Sequence, residues 1–194
     1  MTTDGAAAAQ RAFDADAFFE LRRVLAIALS ASLSAELFDD ASRWCRLGLS
    51  YYPGDPRFTE CTLRILGSTA GSTSDAARGW KELERIELED SLHLLDATWG
   101  YRRLLVAAIL ARSGKQDSAR AVLNRVRSTQ PLIAKTASEP AEAYILLLLG
   151  DREAAVQLLM DHVRKTPPDR GVPLLKHPWF KALRNDPRLD SLRR

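Results

Sequence analysis

A short motif recurs along this chain at a near-constant interval, and that recurrence constrains the fold more than any other feature. The segments are Asp40-Ala41-Ser42-Arg43-Trp44-Cys45, Ala76-Ala77-Arg78-Gly79-Trp80-Lys81, Ser118-Ala119-Arg120-Ala121-Val122-Leu123 and Ala154-Ala155-Val156-Gln157-Leu158-Leu159. Their second small residues, Ala41, Ala77, Ala119 and Ala155, lie 36, 42 and 36 residues apart. Two antiparallel helices approach closely only where a side chain is small, and alanine also favours helix. Larger residues one turn later fill the groove so made. A period of this length holds one helical hairpin, which cannot bury its apolar face without a neighbour.

The third segment extends to Leu104-Leu105-Val106-Ala107-Ala108-Ile109-Leu110-Ala111-Arg112-Ser113-Gly114, then runs through Ala119 and Leu123 to Pro131. Ala143, Leu146, Gly150, Ala155, Leu159 and Pro167 repeat that order, and Ala41, Cys45, Gly48 and Pro53 match the second half of an earlier unit. On these residues the chain resembles the tetratricopeptide repeat family, bacterial type. The resemblance covers roughly residues 20–167. Two departures stand out: Leu29 and Leu63 occupy positions where the first helix usually carries a small residue.

The resemblance implies an all-α fold, an α-α superhelix: a right-handed solenoid of about four helical hairpins with a C-terminal capping segment. Residues 1–12 read as a flexible N-terminal segment, 13–167 as the repeat domain, and 168–194 as linker and capping helices. Helices are expected from Asp14 to Leu33, Glu36 to Tyr51, Asp55 to Leu66 and Asp75 to Glu89, the boundary between Glu89 and Gly100 being open. Tyr101–Arg112, Gln116–Ser128, Pro140–Leu149 and Arg152–Lys165 follow, with a loop over Thr129–Glu139 and a linker from Pro167 to Pro173. Asp55-Pro56 and Asp186-Pro187 both read as helix starts, an N-cap followed by proline. Trp179, Phe180, Leu183, Leu189 and Leu192 suit a tail that covers the last repeat.

Composition narrows the function. The net charge of +3 comes from 28 basic against 25 acidic residues, too even a balance for a dedicated nucleic-acid surface. The longest apolar runs fall short of the roughly 18 residues that span a bilayer, and the N-terminus lacks an apolar signal core. Cys45 and Cys61 form no Cys-x-x-Cys pair, so neither a disulfide framework nor a zinc site is expected, and a cytoplasmic location fits.

Catalytic motifs are weak. The Gly67–Ser74 stretch lacks the lysine and preceding strand of a phosphate-binding loop. His93, His162 and His177 lack metal-ligand spacing, and His162 reads as a packing residue. No serine sits in a nucleophile elbow. Neither a metal nor a cofactor is expected.

In the family that this chain resembles, the first helix of each pair lines a concave binding face. By alignment that face carries Arg23, Arg57, Glu60, Arg64, Tyr101, Leu104, Ala108, Arg112, Tyr144 and Leu148. Arginine and tyrosine are enriched at binding hot spots, so Arg23, Arg57, Arg64, Tyr101, Arg112 and Tyr144 are the candidate partner-binding residues. The family's carboxylate clamp uses asparagine and lysine there, whereas Asn124 and Asn185 lie elsewhere. The expected activity is a non-catalytic scaffold or adaptor that binds a peptide or partner helix, an acidic one above all, with homo-oligomerisation open. The alternative is a regulatory or sensory module of a bacterial Ser/Thr kinase or transcription-regulator system, whose repeat regions close on a similar tail. An enzymatic reading would need an unrecognised site near Glu89–Tyr101.

Overall fold

The computed structural model describes residues 3–15, 20–68, 75–89, 97–129, 132–190 and 192, and every element among them is helical. The all-α class read from the sequence is the class observed. The chain divides into two compact units, Met1–Thr73 and Ser74–Arg194. Residues 69–74 of the glycine–serine stretch, and 90–96 at the open helix boundary, lie outside the described residues.

The first unit contains α1 (Thr3–Ala15), α2 (Leu21–Ser34), α3 (Phe38–Tyr51) and two short helices, α4 (Pro56–Thr59) and α5 (Cys61–Leu66). Where composition predicts a flexible start, α1 packs on α2 and buries Ala6 and Ala9. The alanine run explains the difference, because it favours helix and lets two backbones close together. α2 begins at Leu21 rather than Asp14, and the apolar Phe18 assigned to it lies outside the described residues. Leu25, Ala28, Leu29, Ala41, Trp44 and Phe58 form the core. Gly48 faces the edge of the Phe58 ring so closely that a Cβ there would force the buried phenylalanine to shift.

Cys45 on α3 and Cys61 at the start of α5 are joined as a disulfide, with Cα atoms 5.7 Å apart. This corrects the expectation of unpaired cysteines, and it removes the argument for a reducing compartment that rested on them. Spacing hid the pair. The chain doubles back between the two residues, so neighbours in space are 16 positions apart in sequence.

The second unit contains α6 (Ala76–Glu89), α7 (Ala97–Arg112), α8 (Gln116–Thr129), α9 (Leu132–Leu148), α10 (Arg152–Lys165) and α11 (Pro168–Leu174). A 3-10 helix (Pro178–Leu183) and α12 (Pro187–Asp190) close it. α7 packs on α6, α8 and α9, and residues 104–111 are buried on every side, as an all-round apolar helix must be. Ala107, Ala119, Ala143 and Ala155 are fully buried, as the repeat register requires. In α6 the register differs by one. Ala77 is exposed, while Ala76 is buried and Gly79 meets Ile109, where a Cβ would lie 3.0 Å from the isoleucine side chain.

Two further boundaries differ from the sequence reading. α9 begins at Leu132 and carries Pro140 inside it, where the sequence suggests a loop up to Glu139. The Pro167–Pro173 linker is instead mostly α11, a start that proline's fixed φ favours.

One turn closes three hairpins. After α2, α7 and α9 a residue takes a left-handed conformation: Glu36 (φ 59°), Gly114 (φ 75°) and Gly150 (φ 82°). The following amide donates to the carbonyl five residues back in each case, Leu37 to Ser32, Lys115 to Leu110 and Asp151 to Leu146, all at 2.9 Å. That bond is the signature of a Schellman turn.

An arginine cleft as the candidate functional site

Asp55 organises the candidate site. Its carboxylate caps the start of α4, accepting from the Arg57 amide at 3.0 Å. The Arg57 guanidinium folds back onto the same group, Nε to Oδ1 at 3.0 Å and Nη2 to Oδ2 at 2.8 Å. Arg22, from the first turn of α2, adds Nε to Oδ2 at 2.6 Å. The Asp55 side chain is only 4% exposed. Burial by itself would raise its pKa, but the hydrogen bonds from Arg57 and Arg22 outweigh it and hold the value at about 2. Arg57 is shifted upward by the same bonds.

Beside this clasp lies an open cleft of about 480 Å³, lined by Glu20, Leu21, Arg22, Arg23, Tyr52 and Arg57. Glu20 sits in a left-handed conformation immediately before α2, and its carboxylate accepts from Arg23 Nη1 at 3.1 Å. Tyr52 stacks on the core residue Phe58, ring centres 6.1 Å apart, which fixes the tyrosine at the cleft wall. The arginines are exposed to a ligand and yet tethered: Arg22 and Arg57 to Asp55, Arg23 to Glu20.

Of the six candidate binding residues read from the sequence, Arg23 and Arg57 therefore meet in one cleft. Arg64 is half-buried on α5, outside the cleft lining, and its carbonyl accepts from the Ser68 hydroxyl at 2.7 Å. Tyr101, Arg112 and Tyr144 belong to the second unit. There Tyr144 is buried and stacked flat against Trp179 of the tail, ring centres 4.8 Å and planes 3° apart. Burial lowers the pKa of Arg112, and the neighbouring Tyr144 partly offsets that. Leu104 and Ala108 are buried in the core of the unit rather than lining a groove. These are corrections to the aligned concave face. The tail packs on Tyr144, and α7 is covered on three sides.

Sequence reasoning misses Arg22, Tyr52 and Asp55 as groups at the cleft. The available signal is a repeated tripeptide, Asp55-Pro56-Arg57 and Asp186-Pro187-Arg188. In the second copy Asp186 accepts from the Arg188 amide (3.2 Å), Arg188 Nε (2.9 Å), Arg188 Nη2 (2.9 Å) and Arg152 Nη2 (3.0 Å). The Arg188 bonds hold the Asp186 carboxyl well below the usual carboxylate range.

His162 is not merely a packing residue. Its Nδ1 lies 3.0 Å from the Glu139 carboxylate, which Lys165 also approaches at 3.4 Å. No cluster of three or more metal-ligating side chains occurs among the described residues, and no helix among them is long and apolar enough to cross a membrane. Comparison with family models, curated proteins and solved structures gives no match.

Proposed function

We propose that this chain is a non-catalytic interaction module of tetratricopeptide type, which docks an acidic peptide or partner helix at the arginine cleft of its first unit. The observation that supports the reading is the cleft itself, where Arg22, Arg23 and Arg57 surround Tyr52 in about 480 Å³. Arginine and tyrosine are the side chains that most often carry binding energy at protein interfaces. Held by Asp55, the guanidiniums of Arg22 and Arg57 are preorganised, so less side-chain entropy is lost on binding. Their planar donors suit carboxylates, whose bidentate pairing gives orientation as well as energy.

An array of immobilised twelve-residue peptides, probed with the labelled full chain, tests this reading. Bound sequences should be enriched in glutamate and aspartate, weaken with added salt, and lose signal when the probe carries Arg23→Ala with Tyr52→Ala. The variant's far-UV circular dichroism should match the parent's. Undiminished binding by that variant, or an array with no binders, would overturn the reading.

A further inference from the structure

The two Asp-Pro-Arg clasps share a design and differ in one charge. In the second, Arg188 donates through Nε and Nη2 to Asp186 and through Nη1 to Glu153 at 2.6 Å. Glu153 directly follows Arg152, the second arginine of that clasp. In the first clasp Arg57 likewise donates through Nε and Nη2 to Asp55, but no described residue accepts from its Nη1. The residue that follows Arg22, at the sequence offset of Glu153, is Arg23. A carboxylate in one copy is thus a guanidinium in the other.

Charge follows the same pattern. At the second clasp, among the described residues, Arg152 and Arg188 pair with Asp186 and Glu153. Among the described residues, Arg22, Arg23 and Arg57 at the first clasp pair with Asp55 and Glu20, one positive charge more than the carboxylates they meet, and these arginines line the cleft. We propose that the first clasp takes a carboxylate from its ligand, a glutamate or aspartate side chain of a partner peptide, on Arg57 Nη1 and Arg23. The ligand supplies the group that Glu153 supplies internally to Arg188. One singly charged carboxylate neutralises the excess. A doubly charged phosphate would overshoot it and would sit against Asp55 and Glu20, which favours the carboxylate.

This inference rests on the docking reading above and names the ligand chemistry at the same cleft. The test is an NMR titration of the isotope-labelled full chain, following arginine Nε–Hε signals. Three probes are compared: blocked tetraglutamate, blocked tetraglutamine and inorganic phosphate. Tetraglutamate should shift the Arg22, Arg23 and Arg57 signals saturably, and tetraglutamine should leave them in place at ten times the concentration. Arg23→Glu installs a carboxylate at the offset of Glu153, so Arg57 becomes satisfied internally and tetraglutamate affinity should fall at least tenfold. Arg23 is 72% exposed, so the variant keeps its packing.

Equal responses to tetraglutamate and tetraglutamine, tighter binding of phosphate, unchanged affinity in Arg23→Glu, or no binding of any probe would each overturn the carboxylate assignment. The docking reading fails separately. Peptides recovered from the array that still bind at the cleft after all their acidic residues are amidated would sink the carboxylate and leave the docking site.

Discussion

The two units solve the same structural problem with unequal means. Each closes a hairpin with a Schellman turn and ties an Asp-Pro-Arg clasp to an arginine in the first turn of a preceding helix. In the second unit the solution is fully furnished. Glycines occupy the left-handed positions, Asp151 caps α10 by accepting from the Ala154 amide at 3.3 Å, and Glu153 completes the clasp. In the first unit Glu36 takes the left-handed position, Leu37 precedes α3 with no side-chain cap, and Arg23 stands where a carboxylate would close the clasp. A disulfide is present there instead. Domains of about 70–80 residues rarely gain enough from one core, and a covalent link offsets the deficit. The lesson is that the less settled unit carries the open cleft, as expected when binding groups are left unsatisfied by the fold.

The largest effect should come from the disulfide. Its 16-residue separation implies about 3 kcal/mol of stabilisation through restriction of the unfolded chain. Reduction, or Cys45→Ser with Cys61→Ser, should lower hydrogen-exchange protection in α2, α3 and α5. Protection in α8 and α10 should remain. Equal loss in both units would break the contrast, because it would make the bridge a support of the whole chain.

The clasps give the next effect, through pH. Both carboxyls have folded pKa values below the ordinary unfolded value of about 3.9. Their contribution is therefore present above that value and lost as pH falls through the folded pKa, which for Asp55 is about 2. Asp55→Asn keeps an acceptor for the Arg57 amide and removes the charge. At pH 7 it should cost about 1–2 kcal/mol, an amount limited by the exposure of its arginines, and the difference from the parent should shrink steadily toward pH 2, where the carboxyl is half protonated. Asp186→Asn should cost at least as much, because the bonds from Arg188 and Arg152 lower the pKa of its carboxyl further than that of Asp55. Urea midpoints at pH 2–7 measure both. A smaller loss at Asp186 would show that Glu153 keeps the second clasp closed without that charge.

Much of the helical layout was legible because periodicity and punctuation act locally. Ala119, Ala143 and Ala155 mark close packing, and Gly114 and Gly150 mark turns, by chemistry that needs no distant partner. What stayed hidden was pairing across about one repeat length. Arg22 meets Asp55 over 33 residues and Arg152 meets Asp186 over 34, so only the fold reveals that each aspartate has a second arginine. The aligned face misled for a related reason. Whether Tyr144 lines a groove depends on where the tail lies, and the tail stacks Trp179 on it. The break after Leu33 was legible, but Glu36 hid the type of turn, because its left-handed conformation lacks the glycine that announces the other two.

That last substitution gives the smallest and most local test. A left-handed backbone costs a residue with a Cβ roughly 1–2 kcal/mol, and glycine avoids this at an entropic cost of about 0.5–1 kcal/mol in the unfolded chain. The backbone terms alone leave about 0.5–1 kcal/mol for Glu36→Gly to gain, reduced by the interactions that the glutamate itself makes, and read as a higher urea midpoint at unchanged slope. Gly114→Ala and Gly150→Ala run the comparison in reverse. A Cβ at either meets nothing within 4 Å, so any loss reports the backbone alone, and about 1 kcal/mol is expected. If Glu36→Gly lost stability while both alanine variants also lost it, contacts of the Glu36 side chain would outweigh its strain. The first unit would then have replaced the turn glycine with a working residue, not merely tolerated a poorer one.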